Sequence, residues 1–109
     1  MKHICIYISG PISGIKREEY MWRFREVQTI LEGEGLRVCN PTRLAPCRFP
    51  WLYKLLGYRW TLAYDMWHLS HCTHIIMLDG WEWSRGARLE RMKAHEWDIK
   101  EVKIYTLFE

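Results

Sequence analysis

No apolar run in these 109 residues approaches the length of about 20 that a bilayer-spanning helix requires. The strongest, residues 4–8, is far shorter, so the sequence reads as that of a non-membrane protein. Charge of one sign never accumulates either. Sixteen Lys and Arg against 13 Asp and Glu give a formal net charge of +3, with both signs interspersed, a balance that admits an anionic ligand without demanding nucleic acid. The four cysteines, Cys5, Cys39, Cys47 and Cys72, form no CxxC pair and follow no recognisable secretory leader. They read as reduced thiols in a cytoplasmic protein. Neither the P-loop nor the GxGxxG dinucleotide pattern occurs, and no repeat or low-complexity tract is visible.

What the chain has in excess is aromatic side chains: seven Trp, six Tyr and three Phe. A small core needs fewer, so several rings are expected in a pocket or a subunit contact. The hydrophobic content of 49% and charged content of 27% are those of an ordinary globular domain, and the length suits one domain spanning 1–109.

The stretch HICIYIS is β-branched and apolar on both faces, the pattern of a strand buried within a parallel sheet. It ends at Gly10-Pro11 and passes into a helix with Tyr20, Phe24, Val27, Ile30 and Leu31 at helical spacing, closed by Gly33 and Gly35. LRVCNP is a second strand, ended by Asn40-Pro41. Over 42–60 prolines interrupt any period, which predicts a long loop with at most a helical turn. Thr61 is then expected to cap a helix whose Leu62, Met66, Leu69 and Cys72 face the core, followed by the strand HIIML at 74–78. Ser84 is the expected N-cap of a helix carrying Leu89, Met92, Lys93 and Trp97, and a strand over 101–108 finishes the chain.

Strands alternating with helices imply an α/β, three-layer, Rossmann- or flavodoxin-like domain: a short parallel β-sheet flanked by helices. Ligands bind such sheets beyond the carboxyl ends of the strands, where this sequence places SGPISG, Asn40 and DGWEWSRGARLE. In the first, the backbone and the hydroxyls of Ser9 and Ser13 could cradle a phosphate or sugar. In the last, Ser84, Gly86 and Glu90 stand as S-x-G-x-x-x-E across a helix start, whose unpaired N–H groups suit an anion. The bland reading makes Ser84 a cap only and Glu90 a surface carboxylate pairing with Lys93 or Arg91, and by spacing alone it is the better one. Asp65, within a helical pattern, faces either solvent or a site. His68, His71 and His74 run from helix into strand and cannot share a face, so no metal is expected.

Together, IYISGPISG, the Asn40-Pro41 turn, D-x-x-x-L-x-x-C at 65–72 and IIMLDGWEWSRGARLE at 75–90 resemble the nucleoside 2-deoxyribosyltransferase superfamily over nearly the whole chain. The resemblance is strongest to its small bacterial and phage members, and it extends to the 2′-deoxynucleoside 5′-phosphate N-hydrolase branch. It implies hydrolysis or transfer at an N-glycosidic bond, with Glu90 as nucleophile, Tyr7 holding its carboxylate and Asp65 protonating the departing base. It implies substrate contacts at Ser9, Gly10, Pro11, Ser13, Gly14, Asn40, Gly80, Trp81, Ser84 and Gly86, no cofactor, and a homodimer or larger assembly. Serine at 84, where transferases of free nucleosides carry an acid, points to a 5′-phosphorylated ligand. Two positions depart from the pattern: Thr73 stands where many relatives have aspartate, and Pro11 where the monophosphate hydrolases have a phosphate-holding serine.

Two other readings compete. A nucleotide-binding domain without catalysis would use the same strand ends. A single-stranded nucleic-acid binder, the weakest of the three, would use 43–60, which interleaves Arg43, Arg48, Lys54 and Arg59 with five aromatic rings and no acid. The same rings would also serve as a lid over one nucleobase or as a subunit contact.

Overall fold

Alternate residues of one short strand point to opposite sides of a sheet, and β1 (Cys5–Ser9) uses both sides fully. Ile6 and Ile8 pack with Tyr20, Phe24, Leu31, Ile76 and Leu78 on one face. Tyr7 packs on the other with Leu69, Cys72, Ile75, Ala94 and Ile99. These relationships come from a computed structural model that describes residues 4–44 and 49–103.

Four strands, β1, β2 (Arg37–Cys39), β3 (His74–Met77) and β4 (Lys100–Val102), form one parallel sheet in the order β2-β1-β3-β4. The chain leaves β1 toward β2 on one side and reaches β3 and β4 on the other. This reversal opens a crevice at the carboxyl ends of β1 and β3. The register sets Tyr7 beside Cys39 and Ile75, and Ser9 beside Met77. Helix α1 (Arg17–Gly33) covers the Ile6 face; α2 (Pro50–Ser70) and α3 (Arg85–Glu96) contribute Leu69 and Ala94 to the other. The expected three-layer, Rossmann-like α/β arrangement is therefore present. None of the helices among the described residues is long and apolar enough to cross a membrane.

The β1–α1 turn must lie tightly against the end of β3. A Cβ on Gly10 would stand 2.8 Å from the Leu78 Cβ, while the Leu78 amide donates to the Ser9 carbonyl at 2.8 Å. Glycine is the residue that allows both.

The structure corrects the sequence reading at residues 50–60, at Thr61 and on the face of α1. Residues 50–60 are helical, not a loop: Pro50 starts α2, where its fixed φ and missing N–H cost nothing. Thr61 does not cap a helix. It lies inside α2 and donates from Oγ1 to the Gly57 carbonyl at 3.1 Å. The buried face of α3 is Ala87, Glu90 and Ala94, whereas Met92 and Trp97 are exposed. In α1, likewise, Gln28 is buried and Ile30 exposed, although Tyr20, Phe24 and Leu31 face the core as expected. The final strand is seen at Lys100–Val102; the expectation for 101–108 runs beyond the described residues.

Candidate functional site

Small residues on α3 let that helix approach the sheet, and the approach carries Glu90 to the strand ends. Glu90 is only 6% exposed. Ser9 Oγ donates to its Oε1 at 2.6 Å, and Tyr7 Oη donates to its Oε2. Tyr7 and Ser9 are two residues apart on β1 and so share a face. Both carboxylate oxygens are thereby fixed, and among the described residues no buried side-chain polar atom lacks a partner.

The bland alternative for Glu90 fails on geometry. Arg91 pairs with Glu101 at 2.7 Å and Lys93 with Glu96 at 3.1 Å, leaving Glu90 to Tyr7 and Ser9.

Burial raises the Glu90 carboxyl to about 7, against the opposing pull of the Ser9 and Tyr7 hydrogen bonds. Asp65, on α2, is raised to about 8, first by burial, then by the negative charge of Glu90 and by Cys39. The Tyr7 phenol is driven well above its ordinary value by burial, then by Glu90 and Asp65. Both carboxyl groups are thus biased toward holding a proton nearer neutral pH than they would in water, Asp65 more than Glu90. With Asp65 above Glu90, one can keep its proton while the other ionises, which is how a site separates an acid from a base.

Glu90 and Asp65 both line a cleft of about 1100 Å³ beyond the ends of β1 and β3. One wall is the β1–α1 turn, including Gly10, Pro11 and Ser13, with Arg17 and Arg23 of α1 behind it. A second is the segment Gly80, Trp83, Ser84, Arg85 and Gly86; a third is α2, through Tyr53, Lys54, Tyr58 and Asp65. Arg23 Nη2 donates to the Asp79 carbonyl at 2.8 Å and so joins two of these walls. Ser84 caps α3 as expected, its Oγ accepting from the Ala87 amide at 3.2 Å. The N-terminal end of α3 meets the cleft there.

Several expected ligand contacts lie elsewhere. Asn40 does not line the cleft: its side chain donates to Gln28 Oε1 at 3.0 Å and accepts from Thr42 through both the amide and the hydroxyl. It fastens the end of β2 to α1. Trp81 also lies outside, with the Arg91 guanidinium 4.6 Å over its ring. Gly14 shapes the turn, at φ 82°, without lining the cleft. Ser9 acts on Glu90 rather than on the cleft surface. Thr73 sits at the opposite, amino-terminal edge of the sheet, bonded to both the amide and the carbonyl of Cys5.

Sequence reasoning passed over Arg17, Arg23, Arg85 and Trp83 as cleft residues. For Arg17, Trp83 and Arg85 the signal was position beside a glycine-containing turn after a strand; Arg23, inside α1, carried none. The rings of 43–60 divide: Tyr53 and Tyr58 line the cleft, while Trp51 and Trp60 are exposed. Among the described residues no three His, Cys, Asp or Glu side chains gather as a metal site would require.

The chain belongs to the family described as "Domain of unknown function (DUF4406)", which it matches over residues 4–103. Comparison with curated proteins and with solved structures gave no match.

Proposed function

We propose that this member of the family is an N-glycosidase or deoxyribosyltransferase acting on a 2′-deoxynucleoside 5′-monophosphate in the cleft above Glu90. The observation that carries the reading is Glu90 itself, a carboxylate held at both oxygens by Tyr7 and Ser9 in a cleft that Asp65, its carboxyl raised to about 8 by burial, also lines. A cleft of about 1100 Å³ has room for a nucleotide.

In the proposed reaction a Glu90 oxygen bonds to the anomeric carbon as the C–N bond breaks. The bonding pair leaves with the base, which takes the Asp65 proton. Water then attacks the same carbon, returns a proton to Asp65 and frees Glu90; a second base could accept the sugar instead. Tyr7 and Ser9 hold the carboxylate so that little reorganisation is needed. Tyr53 and Tyr58 supply faces on which a base can stack, and Arg17, Arg23, Lys54 and Arg85 supply positive charge for a phosphate.

We also propose a homodimer. Its support is an exposed aromatic ladder on α2, in which Trp60 stacks on Tyr64 at 5.9 Å and Trp67 lies against His68 and His71. Trp67 and Trp60 are 60% and 51% exposed. Sedimentation at micromolar concentration should give twice the 13.3 kDa chain mass; a single-chain mass would remove the proposal.

The reaction is tested by incubating the protein with each deoxynucleoside 5′-monophosphate and each free deoxynucleoside, then separating products by chromatography. Released base that disappears in Glu90→Ala supports the reading. Binding of a nucleotide, seen as a raised Tm, without any base release would instead favour a binding domain.

A further inference from the structure

Three thiols lie on the Tyr7 face of the sheet, two of them, Cys5 and Cys72, at the end away from the cleft. Cys5 opens β1, Cys72 lies between α2 and β3, and Cys39 ends β2 beside Tyr7. All three are free, with Cys72 buried and the other two half-buried. Cys5 Sγ and Cys72 Sγ are 3.5 Å apart.

What holds that pair is Thr73. Its amide donates to the Cys5 carbonyl at 2.9 Å, its Oγ1 accepts from the Cys5 amide at 2.9 Å, and the same hydroxyl donates back to the Cys5 carbonyl at 3.2 Å. The residue next to Cys72 is thus pinned to Cys5 by three hydrogen bonds. With Thr73 fixed beside Cys5, the two sulfurs have to close from 3.5 Å to the ~2.05 Å of a bond.

We propose that Cys5 and Cys72 form a reversible intramolecular disulfide, making this end of the sheet a thiol modification site that responds to hydroperoxides. A Cys5 thiolate attacks the peroxide oxygen, giving a sulfenic acid and releasing hydroxide (water once protonated). The Cys72 sulfur then attacks the Cys5 sulfur, its proton leaving with the departing oxygen as a second water. Two thiols are oxidised by two electrons and one peroxide is reduced. A dithiol reverses the step.

Cys39 is the competing partner, because its thiol hydrogen-bonds with Cys72 and is lowered by that contact. Its strand, however, lies on the other side of β1 from Cys72 and β3. The residue next to Cys72 is bonded instead directly to Cys5, which favours the Cys5–Cys72 pairing.

The bond would tie the end of the helix carrying Asp65 to the strand carrying Tyr7, closing a loop of most of the chain. Such closure restricts the unfolded state and should raise Tm by on the order of 10 °C.

The test uses the whole protein, reduced, freed of reductant and exposed to a modest excess of hydrogen peroxide, then alkylated and digested. The expected result is an intact mass lower by two hydrogens, a peptide linking Cys5 to Cys72, its persistence in Cys39→Ser and Cys47→Ser, its loss in Cys5→Ser, and reversal by dithiothreitol. A link through Cys39 or Cys47, a bond only between chains, or addition of oxygens without a link would overturn the proposal. So would a Cys5–Cys72 bond that fails to raise Tm, since the thiols would then not be placed for it. Every readout is independent of glycosidase activity.

Discussion

The two faces of β1 are built from neighbouring residues and do different work. On one, Ile6 and Ile8 sit in an apolar cluster with Tyr20, Phe24, Leu31, Ile76 and Leu78. On the other, Tyr7 and Ser9 bring buried hydroxyls that are satisfied by a single carboxylate, Glu90. The first face holds the fold by hydrophobic burial. The second holds a group in place, and its hydroxyls partly offset the rise to about 7 that burial imposes on Glu90. A strand five residues long can therefore separate stability from chemistry by parity of position alone.

That separation can be broken deliberately. Glu90→Ala should have the largest effect, lowering base release by about 10³-fold or more, on the order of 4 kcal/mol of barrier, as measured in single-turnover assays. Ile8→Ala should cost about 2 to 5 kcal/mol in urea unfolding, while any activity that survives keeps the wild-type pH profile. If that profile moves, the faces are not independent.

Tyr7→Phe should lower the rate about 10- to 100-fold, the loss of one buried hydrogen bond to a charged group. It should also move the acid limb of the profile. In the wild type, activity should rise as Glu90 ionises near pH 7 and fall as Asp65 loses its proton near pH 8. These limbs belong to the pair as a unit. Removing the Tyr7 donor takes away an interaction that lowers Glu90, so its limb shifts to higher pH and the window narrows.

Stability should run the other way with pH. Because folding raises both carboxyl values, their favourable contribution is complete below the unfolded values near 4 and is lost as pH rises toward 7 and 8. Asp65→Asn should therefore raise Tm relative to wild type at pH 9 by a few degrees, with the gap closing by pH 4. The smallest effect is expected for Ser84→Ala, about 1 kcal/mol from loss of the cap. Ser84→Asp keeps a cap and should shift preference from 5′-monophosphates toward free deoxynucleosides.

The sequence made part of this plain. β1 showed as a continuous β-branched run, and Ser84 showed as a cap because its side chain has the one local partner that a helix start provides. The kinked helix from Pro50 did not show. A proline amid aromatics looks like a break, whereas at the first helical position it is compatible with a helix. The buried face of α3 was not assigned from the sequence, because Ala87 and Ala94, which allow the helix to reach the sheet, carry little apolar signal of their own. Ser9 was read as a ligand contact, since its link to Glu90, 81 residues away in sequence, is visible only after folding. Asn40 ended β2 as the turn chemistry predicted, but its amide was already committed to Gln28 and Thr42.

Gly57 interrupts α2 with φ 84° and ψ 172°, a conformation essentially confined to glycine. Ahead of it lie Tyr53 and Lys54 on the cleft wall; beyond it lies Asp65 near the floor. The hinge separates the part of the helix that shapes the mouth from the part that carries the acid. Evolution can therefore recut the opening for a different base or sugar by editing one helical arm, without touching the residues that tune Glu90.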